Sequence, residues 1–281
     1  MSTNLLSESA RTIDLPTQSL LFNAFAGDGS QSLPGLALGN PCGLSLLDRP
    51  PTAAFEPQPG MYCVSWMTAD DAAAVRCWTP TGQDIVLCGH GLLCCGQAWR
   101  QSDNPVSSFE MNGMQVAFYA RDDRVWIGLP SISSAPCQLP SWVSQYFSTQ
   151  PWRAAMAGGD SDYLILEWPA GFDLSTLQAP TYDLRRRTQR SIIATCLDGS
   201  GSNIDIHLRY FAPQHGVPED SATGSAMRVL ATYWSNRELS ESLHAYQCSS
   251  RGGELFSHIR EGLTWVGGRV IAVDKEPAFE H

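Results

Sequence analysis

The chain has 281 residues, 43% hydrophobic and only 16% charged, with a formal net charge of -10. That composition describes a globular protein of one or two domains and excludes a disordered chain. The acidic excess, against one basic cluster (Arg185-Arg186-Arg187 with Arg190) that reads as a solvated face, argues against a nucleic-acid surface, and no apolar run reaches the ~18–20 residues of a membrane helix.

The first 17 residues are polar, carry Glu8 and Arg11, and lack the basic start and apolar stretch of an export signal. With nine cysteines, an odd number, this predicts a cytoplasmic protein with reduced thiols in place of a disulfide framework.

Short apolar runs separated by Gly, Pro and Asp predict many strands and few helices. In the first half, strands are expected at 19–25, 61–66, 74–78, 108–110, 115–120 and 125–128. A buried helix is expected at 91–100, after the Gly89-His90-Gly91 turn. The stretch 129–136 has linker composition, which divides the chain into an N-terminal domain (1–130) and a C-terminal domain (131–269), with 270–281 returning to the first. Second-half strands are expected at 163–167, 191–195, 204–210, 245–248, 254–260, 262–266 and 269–273, with a helix at 224–235.

The two halves share a pattern. Arg76-Cys77-Trp78-Thr79-Pro80 matches Arg209-Tyr210-Phe211-Ala212-Pro213, and each is followed by a loop, a small-residue turn and a helix. Order and spacing hold together, with offsets of 133 residues at the arginines and 135 at the glycines, which points to duplication. A strand ending in a glycine turn and feeding a helix leaves backbone N–H groups unpaired at the helix start. Those amides and the helix dipole attract an anion such as a carboxylate. Two such starts facing each other would hold a small acid from both sides.

These residues resemble the PhzF-like (phenazine-biosynthesis) isomerase family, a branch of the diaminopimelate epimerase fold. The resemblance rests on Gly39-Asn40-Pro41, Thr79-Pro80 leading to Cys88-Gly89-His90, Phe211-Ala212-Pro213, and above all Glu219-Asp220-Ser221-Ala222-Thr223-Gly224-Ser225-Ala226. Gln247, Arg251-Gly252-Gly253 and Gly267-Gly268 fit as well, so the likeness spans nearly the whole chain after residue 18. It implies an α+β protein of two pseudo-symmetric domains, each a curved sheet wrapped around a central helix, with the site in the cleft between them. It also implies a homodimer and cofactor-independent proton transfer on a small substrate. The family's acid/base glutamate usually lies in an Asn-x-Ser-Glu motif before the strand at 61–66. That motif is absent here; Gly60 falls at the position, and Glu56 is the nearest carboxylate upstream.

Each candidate has a functional and a structural reading. Asp220 would act as general acid or base, or cap the helix that starts at Gly224. His90, at a helix start that disfavours its cation, would donate a hydrogen bond as neutral imidazole, or tie two loops together. Cys88 would remove an α-proton as in the epimerase branch, its thiol acidified by the helix start, or pack beneath the loop. Glu56 would enter only through a rebuilt loop. Glu219 reads as a supporting hydrogen-bond acceptor in place of a catalyst, and with Gly89, Gly91, Thr223, Gly224 and Ser225 it would bind the substrate. Cys88, His90, Cys94 and Cys95 lack the paired spacing of a metal site, so no metal is expected. His207, His215, His244 and His258 carry no such context and read as structural or exposed. The leading expectation is an isomerase or related proton-transfer enzyme. The alternatives are a small-molecule binding protein or a lyase or cyclase of secondary metabolism.

Overall fold

The computed structural model describes residues 18–273 apart from 30–32, 48, 52–61, 70, 80–81, 104 and 238. Glu56 and Gly60 therefore lie outside the described residues. In the first half the strands are β1 (Gln18–Ala26), β2 (Asn40–Leu47), β3 (Tyr62–Ala69), β4 (Ala72–Trp78), β5 (Ser108–Met111), β6 (Met114–Arg121) and β7 (Arg124–Pro130). Helix α1 (Gly89–Gln101) connects β4 to β5. The second half holds β8 (Ser134–Cys137), the short helix α2 (Val143–Tyr146), β9 (Arg153–Ala157), β10 (Tyr163–Glu167), β11 (Ser191–Leu197), β12 (Ile206–Ala212) and β13 (Val217–Glu219). Then come α3 (Gly224–Ser235), β14 (Ser242–Gln247), β15 (Gly253–Arg260) and β16 (Leu263–Ala272).

The sheet runs β1-β2-β3-β4-β5-β6-β7-β16-β15-β14-β12-β11-β10-β9-β8, and β16 also pairs with β1. The first seven strands and β16 thus close into a barrel with no free edge. Helix α1 is its plug: Leu92, Leu93, Cys94 and Cys95 are fully buried. Each buried leucine contributes about 1.5–3 kcal/mol. Helix α3 is packed the same way in the second half, with Ala226, Met227, Val229 and Leu230 inaccessible. Among the described residues, no helix is long and apolar enough to cross a membrane.

The duplication extends to hydrogen bonds. The pairings β2–β3 parallel, β3–β4 antiparallel and β4–β5 parallel recur as β10–β11, β11–β12 and β12–β14. Trp99 Nε1 on α1 donates to Ser65 Oγ, whose hydroxyl donates to the Ala74 carbonyl; both are 2.8 Å. Trp234 Nε1 on α3 repeats this to Thr195 Oγ1 at 3.2 Å, and Thr195 donates to the His207 carbonyl at 2.9 Å. Each relay pins its helix to the strand beneath through a satisfied buried hydroxyl.

The stretch 129–136 divides between two strands: Leu129 and Pro130 end β7, and Ser134–Cys137 is strand β8. One expectation needs correction: not all the thiols are reduced. Cys63 and Cys77 sit opposite each other in the β3–β4 register, with Cα atoms 4.2 Å apart, and form a disulfide. Only strand pairing brings them together, and the count of cysteines carries no trace of it.

Candidate active site

The two helix starts abut. A methyl group added at Gly89 would lie 3.1 Å from Gly224 Cα, and one added at Gly224 would lie 3.3 Å from Gly89 Cα. A side chain on either side would be tight enough to make its neighbour give by a few tenths of an ångström. The caps are Cys88 and Thr223, neither of which caps through its side chain, and neither first turn carries an acid. The first intrahelical donors after these caps are Leu92 N to Cys88 O and Met227 N to Thr223 O. The amides of residues 89–91 and 224–226 therefore stand before the first helical bonds, and two positive dipole ends meet there.

Asp220 is the carboxylate beside that junction. Its Oδ1 accepts from Asn40 Nδ2 at 2.8 Å and from Ser221 N at 3.0 Å, and Oδ2 accepts from the Thr223 hydroxyl at 2.7 Å. Of roughly four acceptor positions on a carboxylate, the described residues occupy three. Gln247 holds the loop from below: its Nε2 donates to the Asp220 carbonyl at 2.7 Å, and its Oε1 accepts from Thr223 N at 2.8 Å. Asn40 joins the two loops. Besides Asp220, its amide donates to the Ala222 carbonyl at 2.8 Å and lies 3.4 Å from His90 Nδ1.

His90 is buried, and burial lowers its pKa against the opposing pull of Asp220, so the ring is neutral at neutral pH. Cys88 Sγ lies 3.6 Å from His90 Nδ1. Burial, with Cys42 adding to it, pushes the Cys88 thiol well up, against the hydrogen bond from the Gly91 backbone. Of the two readings of Cys88, its burial favours packing beneath the loop, since loss of water works against the acidifying amides. Cys63, Cys77 and Cys88 bring their sulfurs within 4.8 Å of one another, but two of them are joined as a disulfide, which leaves one thiol and no ligand set.

Glu219 is committed elsewhere. Its two oxygens accept from Arg209 Nε and Nη2 at 2.6 Å each, and Arg209 stacks 4.8 Å over Phe211. The first half has the same clip: Arg76 Nη2 to Asp84 Oδ2 at 3.1 Å, with Arg76 5.5 Å over Trp78. Glu219 is thus the acid of a repeated structural pair, both of its oxygens engaged by Arg209.

Over residues 146–272 the chain matches the family described as "Phenazine biosynthesis-like protein". It is 44% identical over 270 residues to the mouse phenazine biosynthesis-like domain-containing protein 1, covering 84% of this chain and 92% of that protein. It is 32% identical to an uncharacterized isomerase of Vibrio cholerae, covering 77% of each. The chain belongs to the PhzF-like family. A solved PhzF-family structure from Enterococcus faecalis superposes with a TM-score of 0.73 at 21% identity, over 90% of this chain and 95% of that one. The diaminopimelate epimerase-like α+β fold expected from the sequence is the fold observed.

Of the PhzF-like motifs, Gly39-Asn40-Pro41 and Gln247 are family marks to which the sequence assigns no role, yet Asn40 and Gln247 organise the site. Two further residues carry no functional signal in the sequence. Tyr163 and Tyr210 both lie at Ser225 on the start of α3, and burial pushes both phenols up, so they stand there as neutral hydroxyls. Their convergence depends on β10–β11–β12 pairing, which no local pattern reveals. Trp66 and Trp78 belong to a separate small cluster with Tyr62 and Val64.

Proposed function

We propose that this PhzF-like chain is an isomerase that moves a proton on a small carboxylate-bearing metabolite, without a cofactor, where the two helix starts meet between the halves. The observation that carries this reading is the glycine-to-glycine contact of two helix N-termini whose first turns contain no acid. Such a junction favours an anion placed at its amides. A substrate carboxylate placed at these amides would have its α-carbon near the remaining acceptor position of Asp220.

In this reading Asp220 takes the proton. The helix-start amides then stabilise the negative charge that develops on the substrate oxygens, being already oriented before the reaction begins. His90 is neutral, and its one ring N–H can donate a hydrogen bond to that charge. Cys88, also protonated, can return a proton to carbon but does not wait as a thiolate. Asn40 holds Asp220 and the first loop at a fixed distance, which near-attack geometry requires.

Incubation of candidate carboxylates in heavy water is the test. Deuterium should enter at a single carbon, and Asp220→Asn should reduce the exchange at least 100-fold. Undiminished exchange in a folded Asp220→Asn protein would remove Asp220 from the mechanism. The missing Asn-x-Ser-Glu motif favours a second reading, a binding protein in the same cleft. That reading predicts ligand-induced stabilisation with no exchange into any bound ligand.

A further inference from the structure

A cavity of about 680 Å³ lies away from the helix junction, on the other face of the second-half sheet. Its position follows from strand alternation. Ile206 and Leu208 of β12 join the core around α3, so His207 between them points outward, beside its register partners Cys196 and Tyr246. His207, Tyr246 and Cys248 all line the cavity, together with Asp173 and Asp198.

Three of these groups form a relay. Cys248 Sγ lies 3.5 Å from His207 Nδ1, and His207 Nε2 lies 2.9 Å from Asp198 Oδ1. The Asp198-Gly199-Ser200-Gly201-Ser202 turn fixes the carboxylate: Ser200 N donates at 2.9 Å, the Ser200 hydroxyl at 2.7 Å and the Ser202 hydroxyl at 3.3 Å. Burial works to raise the Asp198 pKa, but the hydrogen bonds from His207 and Ser200 prevail and hold it well below the usual carboxylate range. An anionic Asp198 places the ring proton on Nε2, which leaves Nδ1 as acceptor toward the thiol. Burial, with Cys196 beside it, pushes the Cys248 thiol up to about 12. No thiolate is stored, so reaction at sulfur requires His207 to take the proton as the new bond forms.

We propose that Cys248, His207 and Asp198 form a second reactive site, at which Cys248 undergoes thiol–disulfide exchange with a small cationic disulfide. The Sγ–H proton passes to His207 Nδ1 while Sγ attacks one sulfur of the incoming disulfide. That S–S bond breaks as the bond to Cys248 forms, and the departing thiolate takes the proton back from the imidazolium. Cys248 is oxidised to the mixed disulfide and the released half is reduced to a thiol, so electrons and protons balance. Charge selects the partner: Asp173 and Asp198 line the cavity, and no Lys or Arg does among the described residues.

The probe is cystamine, applied to the whole protein at neutral pH without reductant and followed by peptide mapping. Cys248 should take the cysteamine half first, ahead of Cys137, the other free thiol that is not fully buried. Anionic glutathione disulfide should label Cys248 at least fivefold more slowly. His207→Gln should slow labelling at Cys248 at least tenfold while leaving the rate at Cys137 unchanged. Labelling at Cys137 with Cys248 untouched overturns the proposal in the unmodified protein, before any variant is made. So does an unchanged Cys248 rate in a folded His207→Gln protein, or a preference for glutathione disulfide.

Discussion

Replacing Asn40 by aspartate would set a second carboxylate beside Asp220, where an amide now donates at 2.8 Å. Two carboxylates so close cannot both ionise, and one must hold a proton. Asn40→Asp should therefore lower proton-exchange activity about 100-fold, the scale set by losing one preorganised donor. Asn40→Ala strips donors from Asp220 and the Ala222 carbonyl together and should cost about 1–3 kcal/mol in urea unfolding. His90 supplies a pH signature. Its folded pKa is lowered by burial, so the unfolded chain binds more protons near and below the ordinary histidine value. Stability should be complete above about pH 6.5 and fall as the pH drops below it. Thermal melts across that window check this, and His90→Gln should flatten the slope; His258, also lowered by burial, retains part of it.

At the scale of elements, the repeated arginine–acid clip offers an internal comparison. Arg209 and Glu219 have side chains 8% and 17% exposed, whereas Arg76 and Asp84 are 48% and 60% exposed. Arg209 also donates to the Leu174 carbonyl at 3.1 Å and to the Leu177 carbonyl. Removing the buried member strands Glu219 and two carbonyls, so Arg209→Ala should cost about 3–5 kcal/mol. The same change at the exposed clip, Arg76→Ala, should cost about 0–1 kcal/mol. Chemical denaturation of the two variants measures the contrast, and equal losses would refute the burial argument. The clip also marks the limit of what the sequence discloses. Arg76 and Arg209 were readable as repeat partners because they sit at a fixed place in a five-residue pattern. Their acids lie 8 and 10 residues further on, beyond loops of unequal length, so Glu219 read as a site residue. Helices α1 and α3 were legible from their apolar runs, and β1, β10 and β11 from theirs. Strand β2 was not, because Asn40-Pro41 opens it with turn residues and it pairs in parallel with β3 across a long insertion. Contacts made only by register, such as Cys63 with Cys77 or His207 with Cys196, have no local signature.

For the molecule as a whole, the two halves meet at the point where both helix dipoles are positive, and the barrel closed by β16 prevents them from simply separating. The β1–β16 pairing at Ala272, Ile271 and Val270 holds the barrel shut, while β16 continues into the second half through β15. The positive ends of both helices are therefore held together by the fold, and an anion placed between them should stabilise both halves together. Small carboxylates should raise the melting temperature as one cooperative transition, whereas the corresponding neutral amides should not. A carboxylate at 100 times its dissociation constant should add about 2.7 kcal/mol. Gly224→Ala supplies the control. Its methyl group would press on Gly89 Cα at 3.3 Å and on Phe25 Cζ at 3.2 Å, so the facing helix start must give by a few tenths of an ångström. That variant should lose about 1–3 kcal/mol of intrinsic stability, as overpacked sites do. It should also lose most of the carboxylate-induced rise, because the amides no longer converge on one anion. Scanning calorimetry with and without the carboxylate separates the two effects, and an undiminished rise in Gly224→Ala would place the anion somewhere other than the helix junction.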